Sequence, residues 1–209
     1  MNLSRRSQMV FLILFFLALV FTGLLWDKSA THRVISLSRK SFALDAGMVF
    51  ASKWLILTLP VVLGFRYFRL QKSFWVRRLA VACALAVFAY FLSQLIQLLW
   101  YRPAPFEAFG IEPLIEHRRD ASFPSDHVTV ASVFAAYLFS TGRPYGAIGI
   151  MLVFALGLAR VYCALHWISD LLGGLVLGGA IGYAAARLHV RGSSSRRTTK
   201  PSYGPPSSN

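Results

Sequence analysis

The sequence predicts an all-α polytopic membrane protein, a bundle of six transmembrane helices. Three observations carry that prediction. Hydrophobic residues fill 56% of the 209 positions and charged residues only 14%, a balance too apolar for an ordinary water-soluble domain. The apolar residues gather into six long runs, and a helix needs about 20 residues to cross about 30 Å of hydrocarbon. The charged residues fall between the runs and sort by sign from one connection to the next.

The first run, Met9 to Trp26, follows Arg5 and Arg6. A basic start before an apolar core also describes a secretory signal. This run is about long enough to span, however, and no small-residue cleavage site follows it, so it reads as a retained first helix. The second, roughly Ala46 to Phe65, contains Pro60 and Lys53, a cation expected to snorkel or to face the bundle interior. The third extends from Leu79 to Trp100, the fourth from Ser125 to Ser140, the fifth from Tyr145 to Tyr162 and the sixth from Trp167 to Ala186. The fourth is short, which places its polar start near a membrane surface. The sixth carries Gly174, Gly178 and Gly182 at a spacing of four, a ridge on which another helix can approach closely. Residues 1–190 form one six-helix domain on this reading, and the basic, Ser- and Pro-rich segment 191–209 is a disordered cytoplasmic tail.

Charge sets the orientation. One set of connections holds Arg5, Arg6, Arg66, Arg69, Lys72, Arg77, Arg78, Arg143 and the tail cations, with no acidic residue. The other holds Asp27, Asp45, Glu107, Glu112, Glu116, Asp120, Asp126 and Asp170. The positive-inside rule puts the termini in the cytoplasm and residues 101–124 and 163–166 on the outer face. The net charge of +14 therefore reads as a topology signal, and no nucleic-acid partner is expected. Cys83 and Cys163 lie inside apolar runs as small core residues, with no CxxC pair. The five histidines show no metal-ligand spacing, so no metal is expected.

Three polar clusters reach that outer face. Arg160-Val-Tyr-Cys-Ala-Leu-His166-Trp-Ile-Ser-Asp170 joins the last two runs. On a helix His166 and Asp170 share a face, and a carboxylate on one ring nitrogen leaves the other free for chemistry. A charge at a span's centre costs about 2.5–3.5 kcal/mol on the insertion scale, so a group of three is either a structural ion pair or a functional site. Arg102-Pro103 ends the third run, and Ser122-Phe-Pro-Ser-Asp-His127 opens the fourth. There Ser125 and free helix N–H groups suit an anion.

The set Arg102-Pro103, Pro124-Ser125-Asp126-His127 and Arg160-x5-His166-x3-Asp170 resembles the three-part signature of the type 2 phosphatidic acid phosphatases, whose superfamily includes the vanadium haloperoxidases. Ser122 to His127 and Arg102-Pro-Ala-Pro-Phe106 further resemble the undecaprenyl-diphosphatase branch associated with bacitracin resistance. The resemblance spans about Gln94 to Gly182. It implies a six-helix phosphatase of the haloperoxidase type in a bacterial cytoplasmic membrane, acting outside on a lipid phosphate such as a polyprenyl diphosphate. It implies that His166 is the nucleophile, Asp170 its orienting group and His127 the general acid and base. Arg102, Ser125, the Asp126 N–H and Arg160 would hold phosphate, with no cofactor required.

Three positions depart from the family pattern. Leu95 stands where the family has a lysine, leaving Gln94, Gln97, Arg118 and Arg119 as substitutes; Ala159 replaces a serine, and Asp126 a glycine. The Asp126 carboxylate is expected to pair with Arg118, Arg119 or Arg160, or to bind a cation bridging a diphosphate. Rival readings are a phosphatase of the same fold acting on phosphatidylglycerophosphate, phosphatidic acid or lipid A, an anionic-lipid transporter that hydrolyses nothing, and a structural membrane protein.

Overall fold

The computed structural model describes residues 26–70 and 75–195. Helix α1 is described over residues 26–35; of the first apolar run, Met9 to Trp26, only Trp26 falls among the described residues. The others are α2 (Phe42–Leu70), α3 (Trp75–Leu99), α4 (Pro105–Phe109), α5 (Asp126–Ser140), α6 (Arg143–Tyr162) and α7 (Ile168–Ser195), and the described residues contain no strand. Runs two to six thus each become one helix. Four of these, α2, α3, α6 and the part of α7 up to Ala186, are long and apolar enough to cross a membrane.

The exception, α5, has 15 residues and is the centre of the bundle. It packs most extensively on α7, then on α6, α3 and α2. Val128, Ala131, Val133, Phe134, Tyr137 and Leu138 are all buried on it. A helix wrapped by protein need not match the hydrocarbon thickness, which accounts for its length. The glycines of α7 make this enclosure possible. A methyl added at Gly174 would stand 2.7 Å from the Ser125 carbonyl oxygen, one at Gly182 2.7 Å from that of Val133, and one at Gly178 would land on the Thr129 carbonyl. Only backbones without Cβ atoms can cross that closely.

The outer faces of α2, α3 and α6 expose Phe50, Trp54, Val61, Phe65, Phe88, Phe91, Met151 and Phe154, apolar surface far beyond what water tolerates but natural against lipid. Lys53 is exposed rather than enclosed in the bundle interior. One boundary moves and one element is new. With no proline in 187–195 to stop it, α7 continues to Ser195, five residues into the expected tail; residues 196–209 lie outside the described ones. The short α4 was not anticipated. Pro105 opens it and Gly110 closes it in the left-handed region at φ 64°. It seats Phe106 with Ile35, Ala104 and Ala164 in a small second core under the α6–α7 turn.

The two ends of the bundle differ in charge. Arg66, between α2 and α6, donates to the Thr141 carbonyl and lies over the Tyr145 ring. Asp45, at the other end of α2, accepts from the Tyr162 hydroxyl at the end of α6. The acidic end holds all three polar clusters.

Candidate active site

The site is built on the turn between α6 and α7. The chain leaves α6 through Cys163 and passes Ala164 at φ 64°, a left-handed conformation costly for a residue with a Cβ. The Ala164 carbonyl is pinned by the Phe106 N–H of α4 at 3.1 Å, and the Leu165 N–H closes back on Arg160 at 3.1 Å. This tight path buries Arg160, His166 and Asp170 to 5% exposure or less, which ordinary charged residues do not reach without a function or a partner.

His166 is held through both ring nitrogens. Nδ1 lies 2.9 Å from the Ser122 carbonyl oxygen, and Nε2 lies 3.1 Å from an Arg160 guanidinium nitrogen. A carbonyl only accepts and a guanidinium only donates. The proton therefore sits on Nδ1, and Nε2 carries a lone pair directed at Arg160. That is the tautomer a nucleophilic imidazole needs, with a cation beside the attacking atom.

Asp170 does not make the hydrogen bond to His166 that its spacing suggested. Its Oδ2 is 3.7 Å from Nδ1, because both oxygens are otherwise engaged. Oδ2 accepts the Trp167 N–H at 2.7 Å, the reverse half of a capping box, and Oδ1 accepts from Arg102 at 2.6 Å. The Ser122 carbonyl orients the ring instead. Arg102 is likewise tied to neighbouring side chains. Nη1 reaches Asp170 and Ser169, Nη2 reaches Asp27 of α1 at 2.6 Å, and the group lies over the Trp167 ring.

Ser125 is the N-cap of α5 and donates its N–H to the Asp170 carbonyl, tying the second cluster to the third. Its Oγ makes no cap bond. Ser125 Oγ, Ser122 Oγ and Arg160 Nε are buried without a hydrogen-bond partner among the described residues, which leaves donors for a ligand next to the His166 pair. Asp126 pairs with none of Arg118, Arg119 or Arg160. Its Oδ1 accepts both the His127 N–H at 2.7 Å and the His127 Nδ1–H at 2.9 Å, which holds the Nδ1 side of the adjacent ring. The carboxylate is close enough to claim a neighbour's ring, and that local pairing outcompetes the longer reach.

Of the substitutes considered for the family lysine, Gln94 is half-buried on α3. Leu95 is 49% exposed on α3, Gln97 donates to the Pro124 carbonyl, and Arg118 and Arg119 are exposed. Among the described residues no group of three His, Cys, Asp or Glu side chains could hold a metal ion. Four contributors escaped sequence reasoning: Asp27, Ser169, the Ser122 carbonyl and His117. Burial and the Arg160 charge hold His117 below the usual histidine range, while Asp120, 3.4 Å from its Nε2, pulls the other way. An acid at the end of an apolar run was a visible signal for Asp27; a backbone carbonyl leaves none.

Fold and site together define a helical membrane protein with a buried histidine–arginine centre at one end of its bundle. The chain belongs to the PAP2 superfamily, whose model matches residues 75–193. It is 29% identical over 154 residues to the undecaprenyl-diphosphatase BcrC of Bacillus subtilis (strain 168), covering 70% of this chain and 76% of that one. It is 35% identical over 145 residues to YbjG of Escherichia coli (strain K12), covering 67% and 70%. Its fold is similar to that of a transmembrane PAP2-type phosphatidylglycerolphosphate phosphatase from Bacillus subtilis, with a TM-score of 0.63, 21% identity, and coverage of 92% and 98%.

Proposed function

We propose that this PAP2 membrane lipid phosphatase hydrolyses undecaprenyl diphosphate to undecaprenyl phosphate and inorganic phosphate, recycling the cell-wall carrier lipid and conferring resistance to bacitracin. The observation that carries the reading is the His166 tautomer, with its Nε2 lone pair beside Arg160. The relative named for this activity supports the substrate.

His166 Nε2 attacks the terminal phosphorus, and the bond to the bridging oxygen breaks. His127, its Nδ1–H held by Asp126, gives its Nε2 proton to the leaving undecaprenyl phosphate. The product of this half-reaction is a phosphohistidine. His127 then takes a proton from water, whose oxygen attacks the same phosphorus and returns His166 with release of phosphate. Arg160, the Ser125 hydroxyl and the Asp126 N–H stabilise the equatorial oxygens as charge redistributes. Asp170 and Arg102 keep the catalytic turn in place. The working topology is six spans counting the first apolar run, with the termini in the cytoplasm of a bacterium and the acidic, catalytic end outside. A lipid tail then lies between helices while its phosphate enters at the rim.

Purified protein given undecaprenyl diphosphate, phosphatidylglycerophosphate and phosphatidic acid in parallel, with and without EDTA, tests the reading by phosphate release. Release is expected to be fastest from undecaprenyl diphosphate and to be abolished by His166→Ala. A clear preference for phosphatidylglycerophosphate would move the substrate to the rival, and wild-type activity in His166→Ala would remove the nucleophile.

A further inference from the structure

The family match begins at residue 75, so it says nothing of the first helix. Yet α1 delivers a carboxylate into the catalytic end. We propose that Asp27 is a positioning residue of the phosphatase, acting through Arg102 and the His166–Asp170 turn, so that α1 is part of the machinery. The inference rests on the phosphatase reading above.

Asp27 is 3% exposed, and both oxygens are used. Oδ2 accepts from Arg102 Nη2 at 2.6 Å and from the Ser169 hydroxyl at 2.5 Å. Oδ1 accepts the Ser169 N–H at 3.0 Å and a long 3.4 Å bond from Thr31, one helical turn further along α1. Thr31 Oγ1 in turn accepts the Ile168 N–H at 3.2 Å. The N–H groups of Trp167, Ile168 and Ser169 at the start of α7 are thus capped by Asp170, Thr31 and Asp27. Two of those three caps come from α1. A carboxylate at this helix N-terminus also opposes the helix dipole favourably.

The consequence for chemistry runs through Arg102. Its fork joins Asp27 on one side to Asp170 on the other, one cation between two buried anions. Arg102 thereby fixes Asp170. Asp170 fixes the Trp167 N–H, one residue from His166. Loss of Asp27 therefore loosens the nucleophile while leaving Arg160 and Ser125 in place, and should slow the chemical step more than it weakens binding.

Full-length protein in lipid vesicles is assayed on undecaprenyl diphosphate for kcat, KM and inhibition by inorganic phosphate, in wild type, Asp27→Asn, Asp27→Glu and Thr31→Ala. Asp27→Asn is expected to lower kcat about tenfold or more, with KM and phosphate inhibition within about twofold of wild type. Asp27→Glu should recover part of that loss, because the charge on Arg102 returns. Unchanged kcat in Asp27→Asn overturns the inference. So does tighter phosphate inhibition with a lower KM, since that means Asp27 competes with phosphate for Arg102. If Asp27→Asn does not fold, Thr31→Ala decides: a drop in kcat of about threefold at constant KM supports the inference, and a wild-type kcat overturns it. Wild-type protein that releases no phosphate from any of the lipids would end the phosphatase reading itself, and this inference with it.

Discussion

Arg102 and Arg160 stand at the same mouth of the bundle, both close to the His166 turn, and their surroundings are opposite. Arg102 is bracketed by two buried carboxylates and a serine hydroxyl, with its side chain 21% exposed. Arg160 is 5% exposed, has no carboxylate within ion-pair distance among the described residues, and keeps Nε unpartnered. Its recorded side-chain contact is His166 Nε2. The carboxylates that act on it, Asp126 and Asp120, do so from beyond ion-pair distance, and burying a cation so weakly paired is costly. The comparison separates two surroundings for one residue type: Arg102 is tied into the structure by carboxylates, and on the function proposed above Arg160 meets the substrate phosphate.

The sharpest way to break that division is to neutralise each arginine in turn. Arg160→Gln is expected to lower kcat/KM by about 10³-fold, the scale of losing a donor to developing charge, with little change in thermal stability. Arg102→Gln leaves Asp27 and Asp170 buried together without a cation. It should cost about 3–5 kcal/mol of stability, and kcat of the remaining folded enzyme should fall about tenfold as the His166–Asp170 turn loosens. Phosphate release and thermal unfolding in detergent, measured on both variants, give the contrast. A stable, inactive Arg102→Gln beside an unfolded Arg160→Gln would reverse the assignment.

A finer division runs between the two histidines. His166 is oriented by a neutral carbonyl and His127 by the Asp126 carboxylate. On the proposed mechanism the second ring is the one that hands a proton to the leaving group, and Asp126 holds it in place. Asp126→Asn is expected to lower kcat roughly tenfold, because the ring loses the partner that orients it. Unchanged kcat would argue that Asp126 serves only the start of α5.

The elements were legible in the sequence because their causes are local. Apolar runs of spanning length become helices, Pro105 and Gly110 bracket α4 once it is sought, and the spacing of Gly174, Gly178 and Gly182 announces the close crossing with α5. The positions of Arg102, Ser125, His127, Arg160, His166 and Asp170 follow from the same runs, which deliver them to one end. Which oxygen faces which nitrogen did not follow. Asp170 has two anionic oxygens and three neighbours that could use them, and the choice of Trp167 N–H and Arg102 over His166 depends on where α1 lies. Asp126 had three arginines in view and took its own neighbour. Pairings across separated segments depend on tertiary placement to within an ångström, which spacing along one chain does not encode.

His117 offers the mildest test, and it bears on the unneutralised charge of Arg160. The ring packs edge-on to Phe106, and burial together with the charge of Arg160 favours its neutral form. Asp120 and Asp126 oppose this without reversing it. The folded protein therefore binds this proton less readily than the unfolded chain, whose histidine titrates near 6.5. As pH falls through 6.5 the unfolded state takes up protons first, so stability rises with pH across that window and declines on acidification. His117→Gln removes this contribution. The fall in melting temperature between pH 7 and pH 5 should be smaller in the variant by roughly a degree or two. The same substitution made on Arg160→Gln should have less effect, because part of the field on His117 is already gone. Equal acid sensitivity in His117→Gln and wild type would mean that the Arg160 charge is compensated by groups other than those facing it here.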